Sequence, residues 1–402
     1  MTRNGTVLPP GRVQRWLTGL APLALLAALI GGLVWWGPGN ALRGDGYPPV
    51  ERLTFQRVEL TTDGIVVHVL NDGPDAVQIA QVQVDDAYWM FTADNRTALS
   101  HLARTTLSIP YPWVHGEAHV VRLVTSTGAT FDHEIAVAVP TPQANVKSLG
   151  LFTLMGVYVG VVPVAIGLLW FPLVSQMSRR GLDFVLALTI GLLLFLLLDA
   201  VGEGLSVAGT MPGSFQGATL FAFGALAAYL ALEGLGQWLR ARRERAKAAP
   251  STEWVLALLI AVGIGLHNFG EGLAIGAAFA LGEAALGTLL VIGFTLHNTT
   301  EGLAIVAPLA RERVRLADLV KLGLIGGVPT IAGAWLGGLV YSPVWSVLFL
   351  AIGAGAIAQV ILQIGTQTAR DLPLMRFLAT GHVMAGLFAG FAVMYATGML
   401  VG

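Results

Sequence analysis

Long apolar runs separated by short polar or basic connections fill the chain from residue 148 to its end. Each run exceeds the roughly 20 residues that a helix needs to cross a hydrocarbon core of about 30 Å. The pattern therefore predicts a polytopic α-helical membrane protein whose main domain, residues 148–402, is a bundle of eight spans. The predicted spans are residues 148–173, 181–205, 214–238, 252–280, 284–309, 317–340, 343–366 and 375–400.

A further apolar run lies near the N-terminus, between a basic tail (1–16) and the pair Trp35-Trp36. It is longer than a usual signal-peptide core and ends in residues that favour the membrane interface. No small-x-small cleavage site follows it. We therefore expect residues 17–40 to be a retained signal-anchor helix rather than a cleaved signal peptide.

Residues 41–147 have a different pattern, with short alternating runs such as 65–70 and 77–84 and turn sequences at 71–74 and 126–128. Several short strands with regular turn signals predict a β-sandwich of about 100 residues. His115 and His119 are expected on the surface of this domain, with capture of a metal ion as the alternative.

The basic residues predict the orientation of the chain. Lys and Arg are concentrated in alternate connections of the bundle, thirteen in all, whereas the intervening connections at 206–213, 281–283 and 341–342 have none. Basic connections usually face the cytoplasm. We therefore expect a multi-pass protein of the cell membrane with a cytoplasmic N-terminus, and with the β-sandwich and the C-terminus on the extracytoplasmic side.

Composition narrows the possible partners. The 402 residues are 55% hydrophobic and only 12% charged, which is typical of a protein that sits in a lipid bilayer. The net charge of −1 argues against nucleic acid as a partner. Because the chain has no cysteine, any metal site is expected to use nitrogen and oxygen ligands.

The polar motif His-Asn-x-x-Glu-Gly occurs twice within the apolar spans, at 267–272 and again at 297–302. Ionisable residues inside a span are costly and are therefore functional candidates. A helix places His267 above Glu271 and His297 above Glu301, with the asparagines on roughly the same face. Each copy thus presents an imidazole, an amide oxygen and a carboxylate, which together are a set of metal ligands.

The short connection between the two copies predicts a tight antiparallel hairpin. His267 and His297 each lie fifteen residues from Gly282, which is about 22 Å along a helix that rises ~1.5 Å per residue. The histidines should therefore lie at similar depth, at or somewhat past the middle of the bilayer. Glu271 and Glu301 should lie on opposite sides of them along the helix axes, which leaves room for two neighbouring ion positions.

Eight spans with both ends of the bundle outside, and this motif in the fourth and fifth, resemble the ZIP (Zrt-, Irt-like protein) family of divalent metal transporters over about residues 148–402. The resemblance implies uptake of Zn²⁺, Fe²⁺, Mn²⁺ or Cd²⁺ toward the cytosol, with zinc the first expectation, by a homodimer. The ion is then a substrate, and no catalytic cofactor is implied. The metal-binding residues that the resemblance implies are His267, Asn268, Glu271, His297, Asn298 and Glu301.

The chain departs from the family pattern in its sixth and seventh spans. Relatives often have glutamate before a proline in the sixth span, where this chain reads Val328-Pro329. The seventh span offers Gln359 and Gln363 where acidic residues are common. These departures favour one metal site over two.

Other polar residues of the spans are candidates for the ion pathway. Asp199 and Glu203, one turn apart in the second span, could gather cations at the entrance or could be solvated residues of a helix end. Gln359 and Gln363 are candidates for the exit. Glu233 lies near the basic end of the third span and is expected to pair with neighbouring arginines.

Two other function classes compete with a carrier. A membrane metal sensor or receptor would bind the ion without moving it, with the β-domain as its signalling end. An intramembrane metal-dependent hydrolase is less favoured, because the chain has no His-Glu-x-x-His helix signature and no nucleophile beside a base. We therefore expect a protein that is not an enzyme.

Overall fold

A computed structural model describes residues 12–36, 48–94, 98–245, 251–282, 284–369 and 372–399. The chain divides into two units, one up to Val50 and the other from Glu51 onward. The first unit contains a helix, Arg12–Trp36, whose apolar stretch Leu20–Leu33 is shorter than a full membrane span. The retained signal anchor therefore stays a prediction, and residues 1–11 of the basic tail lie outside the described part of the chain.

The predicted β-domain is confirmed as two antiparallel sheets. One sheet has the strand order β1-β2-β7-β5, and the other has the order β4-β3-β8-β9 with β6 paired to β3. Ile65 and Leu107 of the first sheet share one buried core with Val82 and Leu123 of the second. The two sheets therefore form a sandwich. Its strands are β1 Leu53–Thr61, β2 Gly64–Asn71, β3 Val77–Val84, β4 Ala87–Trp89, β5 Thr92–Ala93, β6 Ala98–Leu99, β7 Arg104–Ile109, β8 His119–Thr125 and β9 Thr130–Ile135.

The sandwich corrects the expectation that His119 is a surface residue. His115 is exposed, but His119 is buried, and its Nδ1 lies 2.8 Å from Asp85 Oδ2. Burial works to raise the pKa of Asp85, but hydrogen bonds from the Val120 N–H, His119 and Tyr111 outweigh it and hold the pKa below its ordinary value. His119 is thus part of a structural network, and the described residues do not bring it together with His115 as metal ligands.

Seven helices of the second unit are long and apolar enough to cross a membrane, within the described part of the chain. They are span 1 Val146–Ser175, span 2 Arg179–Gly209, span 3 Gly213–Arg242, span 4 Thr252–Ala280, span 5 Leu286–Arg311, span 6 Leu316–Leu339 and span 7 Pro343–Ala369. A polytopic helical membrane protein is therefore supported. The predicted eighth span is divided into a short helix, Leu374–Leu378, and a C-terminal helix, Gly381–Met399. The apolar part of the latter is shorter than the other seven, so the count of eight stays a prediction.

Two spans are interrupted where prolines remove a backbone N–H. In span 1, a π-helical turn Val157–Val161 separates the helix Val146–Gly156 from the helix Val162–Leu168, with Pro163 at the start of the latter. In span 6, the helix Leu316–Gly327 ends before the helix Pro329–Leu339 begins. Proline cannot donate to the carbonyl one turn earlier, so carbonyl groups at both interruptions need other partners.

Spans 1, 4, 5 and 6 pack together, and we call them the motif group. A Cβ added at Gly272 of span 4 would lie 2.1 Å from the backbone oxygen of Thr330 in span 6. A Cβ added at Gly302 of span 5 would lie 2.2 Å from the backbone oxygen of Val164 in span 1. The glycine that closes each copy of the motif thus allows its helix to approach an interrupted span.

Spans 2, 3 and 7 and the C-terminal helix form the second group. The backbone of the C-terminal helix at Gly390 packs on Leu188 of span 2, and Gly355 of span 7 packs on Ala225 of span 3. The two groups meet mainly where span 7 crosses span 4. Span 4, which carries the first copy of the motif, therefore lies at the boundary between the motif group and the second group.

The β-sandwich contacts the second group at the loop that leads from span 2 to the long helix of span 3, Gly217–Arg245. Asp72, which is buried, accepts a hydrogen bond from the Gly213 N–H at 3.2 Å through Oδ2. The Ser214 hydroxyl donates to the backbone oxygen of Asp72 at 3.2 Å. A side chain and a backbone group of one sandwich residue thus hold this loop.

The sandwich also contacts the motif group, at two other places. Arg57 donates from Nη1 to the backbone oxygen of Leu339 at the end of span 6, at 3.4 Å. Gly282, in the turn between spans 4 and 5, packs so closely on Val137 that an added Cβ would lie 3.2 Å from its backbone oxygen. Gly282 also has a φ of +83°, a conformation that favours glycine.

Candidate metal centre

The centre of the bundle holds one group of side chains that could bind a metal ion, within the part of the chain that the structure describes. A ligand nitrogen of His267, one of His297 and a carboxylate oxygen of Glu271 lie within 4.8 Å of one another, and all three residues are buried. His267 Nε2 lies 3.2 Å from Glu271 Oε1, and His297 Nε2 is hydrogen-bonded to the same oxygen. Two imidazoles and a carboxylate are ligands that suit Zn²⁺ and related ions.

The hairpin geometry brings these three residues together. Span 4 ends at Ala280 and the next helix begins at Ala284, so the two helices run antiparallel through a short turn. The i, i+4 spacing in span 4 puts His267 beside Glu271, and the hairpin puts His297 across from both. The predicted approach of the two copies is thus observed, with Glu271 between the histidines.

The two motif asparagines share one arrangement. Asn268 donates from Nδ2 to the Gly326 carbonyl at 3.1 Å, next to the interruption of span 6. Asn298 donates from Nδ2 to the Val159 carbonyl at 3.1 Å, inside the π-helical turn of span 1, and also to Glu271 Oε2 at 2.9 Å. The Oδ1 atom of each asparagine is buried and has no hydrogen-bond partner among the described residues.

The contact of Asn298 is explained by the interruption of span 1, because Pro163 has no N–H to donate to the Val159 carbonyl four residues earlier. An amide that donates to a freed carbonyl satisfies that carbonyl and at the same time fixes the direction of its own oxygen. Both asparagine oxygens are therefore held without a donor of their own. Such a buried oxygen is a suitable ligand for a cation, and it is costly if it stays unpaired.

Glu301 is the second carboxylate of the site. Both of its oxygens are buried without a hydrogen-bond partner among the described residues. Its carboxylate lies beside the Asn268 amide and interacts electrostatically with Glu271, His267 and His297. A buried carboxylate without a partner is strongly destabilising. A cation between Glu301 and Glu271 would remove this cost.

The predicted entrance residues lie near the centre. Glu203, partly buried in span 2, interacts electrostatically with His267 and Glu271. Asp199 lies one turn earlier in the same helix. It is exposed and also interacts electrostatically with His267. In their ionised form, these carboxylates add to the attraction that the site has for a cation.

The predicted exit residues form a separate cluster. Gln359 donates from Nε2 to Gln363 Oε1 at 2.6 Å and to Glu233 Oε2 at 3.1 Å, and both glutamines are buried. Glu233 Oε1 accepts from Gln237 Nε2 at 3.1 Å. Two glutamines thus supply hydrogen bonds to Glu233, and the nearby Arg240 attracts its carboxylate electrostatically. No described contact joins this cluster to the six motif residues.

The sequence did not predict that the motif asparagines donate hydrogen bonds to the carbonyl groups of Val159 and Gly326. Pro163 and Pro329 were the available signal, since each marks an interruption near a motif asparagine.

Neither a scan of the sequence against protein-family models nor a search of curated proteins finds a match. The function is therefore inferred from the fold and from the geometry of the site.

Proposed function

We propose that this protein is a transporter of divalent transition-metal cations, similar to the ZIP family, that moves Zn²⁺, Fe²⁺, Mn²⁺ or Cd²⁺ toward the cytosol. The observation that carries the proposal is the buried group of His267, Glu271 and His297 inside a bundle of seven apolar helices. The unpaired oxygens of Asn268, Asn298 and Glu301 support it, because they add four further ligand atoms to the same region.

The two helix groups suggest how the ion moves. A secondary carrier binds its substrate near the midplane and exposes it alternately to the two sides, as one helix group rocks against the other. The motif group carries the ligands, and the second group contributes Asp199 and Glu203 beside them. We propose, from the positions of the basic connections, that the β-sandwich lies outside and that ions arrive at the end of the bundle that it contacts. We propose a homodimer on the family resemblance alone.

We propose that binding of the ion competes with protons. His267 and His297 both direct Nε2 at Glu271 Oε1, and an ionised carboxylate only accepts, so each imidazole donates from that nitrogen. To bind a metal, an imidazole must present a lone pair at that nitrogen instead of an N–H. A doubly protonated imidazole must lose a proton to do so, so the ion competes with protons for these histidines and uptake should slow as the pH falls.

Uptake of radiolabelled Zn²⁺, Fe²⁺, Mn²⁺ and Cd²⁺ into sealed proteoliposomes tests the proposal. We expect the wild-type protein to move at least one of these ions and Glu271→Ala to abolish that movement. Glu312→Ala, in the connection after span 5, is the control and should move the ion normally. A wild-type protein that binds metal but moves none would contradict transport and would favour a membrane metal sensor.

A further inference from the structure

Span 3 is covered by protein less than any other long span that the structure describes. Only 17% of its most apolar stretch is buried inside the protein, against 39–78% for the other six. Phe223, Leu226 and Leu230 on its surface are each more than half exposed. Exposed apolar side chains of a membrane helix face lipid tails, which are as apolar as leucine. The ends of span 3 are therefore placed beside lipid headgroups.

The connection that follows span 3 is the most basic of the bundle. Residues 240–247 read Arg-Ala-Arg-Arg-Glu-Arg-Ala-Lys, with five basic residues and one acidic residue. After Leu239 the helix of span 3 continues to Arg245 with only charged residues and alanine. Glu233 attracts Arg240 electrostatically, but the residues beyond Arg240 keep a clear excess of positive charge. The first arginines of the run therefore lie on a helix at the level where its apolar part ends.

Trp238 marks the same level of the helix. It is 53% exposed, and the guanidinium carbon of Arg242 lies 5.2 Å from the centre of its ring. Tryptophan favours the boundary between lipid tails and headgroups, and a guanidinium over an indole is attracted by the ring. Arg242 is itself exposed, and no carboxylate of a described residue forms an ion pair with it. Its N–H groups are thus available to a phosphate, which a guanidinium can bind through two parallel hydrogen bonds.

We propose that the basic end of span 3, formed by Trp238, Arg240 and Arg242, binds the headgroup of an anionic phospholipid. A cluster of basic residues directly beyond a span attracts such lipids. A zwitterionic lipid is a poorer partner, because the positive charge of the run repels its cationic group. The exposed Trp238 and the bare surface of span 3 distinguish this end from a diffuse attraction that all basic connections would share. The inference goes beyond the proposed function, because it requires neither the ion nor its movement.

Quenching of tryptophan fluorescence by brominated lipids tests this inference. The full-length protein is placed in nanodiscs that mix brominated phosphatidylglycerol with unlabelled phosphatidylcholine, or brominated phosphatidylcholine with unlabelled phosphatidylglycerol. Because the chain has ten tryptophans, the signal of Trp238 is the difference between the wild type and Trp238→Phe. We expect phosphatidylglycerol to quench Trp238 at a lower mole fraction than phosphatidylcholine does.

Two charge variants, each measured with and without Trp238→Phe, show whether the preference belongs to this end of the bundle. Arg242→Gln should lower it about fivefold, the factor that one basic residue near an anionic surface contributes. Lys321→Gln is the matched control and should keep the wild-type preference. Lys321 is also exposed and basic, but it lies in span 6, with Nζ 3.8 Å from Asp318 Oδ1. High salt should weaken the wild-type preference, because it screens exposed charges.

Three results would overturn the inference. Equal quenching by the two lipids would mean that the headgroup charge is not recognised. Quenching by neither lipid would mean that protein, such as a second copy of the chain, covers Trp238. An equal loss of preference in Lys321→Gln and Arg242→Gln would mean that the attraction is diffuse. Because no ion enters the measurement, each of these results leaves the transport proposal in place, and a failure of transport leaves the lipid site in place.

Discussion

Substitution of Glu271 by glutamine tests whether this residue binds a metal ion or only holds the helices together. The carboxylate is 3% exposed and accepts hydrogen bonds from His267, His297 and Asn298. Glutamine keeps the size and one acceptor oxygen but removes the charge. Loss of one partner from a buried ion pair costs about 3–5 kcal/mol. The Kd for a divalent ion should therefore rise about 100-fold or more, because 1.4 kcal/mol corresponds to a factor of ten.

Thermal unfolding in detergent, with and without Zn²⁺, measures this change. At a Zn²⁺ concentration of 100 times the wild-type Kd, binding stabilises the wild-type protein by about 2.7 kcal/mol. If the Kd of Glu271→Gln is 100-fold higher, the same concentration adds only about 0.4 kcal/mol. Without metal, the variant should lose no more than about 1–3 kcal/mol, because the amide nitrogen of glutamine cannot accept the hydrogen bond that Asn298 Nδ2 donates to the carboxylate.

Glu312→Gln is the control for this experiment, since it removes a carboxylate outside the motif. It should keep the wild-type response to Zn²⁺. The reasoning is refuted if Glu271→Gln retains the full stabilisation by Zn²⁺. It is also refuted if the variant loses several kcal/mol of stability in the absence of metal, because that result would mean that Glu271 serves the fold.

Three further predictions concern the surroundings of the site. Gly272→Ala should destabilise the protein by about 1–3 kcal/mol in thermal unfolding, because its Cβ would meet a backbone oxygen at 2.1 Å. Gly270→Ala, whose Cβ would meet only a leucine methyl at 3.4 Å, should be tolerated; equal losses would contradict this packing. Asn298→Leu should cost about 1–3 kcal/mol without metal, because the Val159 carbonyl loses its donor, and an unchanged unfolding temperature would show that water replaces the amide. Asp72→Asn should speed hydrogen exchange at residues 210–216 without a change in metal binding, and unchanged exchange would show that its carboxylate does not hold that loop.

The motif and its spacing were sufficient to predict the centre of the site. His267, Glu271 and His297 come together because an i, i+4 spacing and a short turn leave the side chains few other arrangements. The locations of the long spans and of the β-domain were predictable for a similar reason, since hydrophobic periodicity depends on local sequence.

Features that depend on distant contacts were not predictable. The asparagines were expected to be ligands, but their bonds to Val159 and Gly326 depend on interruptions more than 50 residues away in the sequence. His119 was expected on the surface because histidine is polar, but it is the first residue of β8 and lies on the same buried face as Val121 and Leu123, where Asp85 supplies a partner.

The attachment of the β-sandwich has a mechanical consequence for the bundle. Asp72 fastens it to the loop before span 3, while Arg57 and Val137 fasten it to the ends of spans 4 to 6. In the proposed transport, in which one helix group turns against the other, a rigid domain attached to both groups limits the angle through which they can turn. A large opening at this end would have to bend the linking loops or release one of the attachments, even though the sandwich holds none of the motif residues.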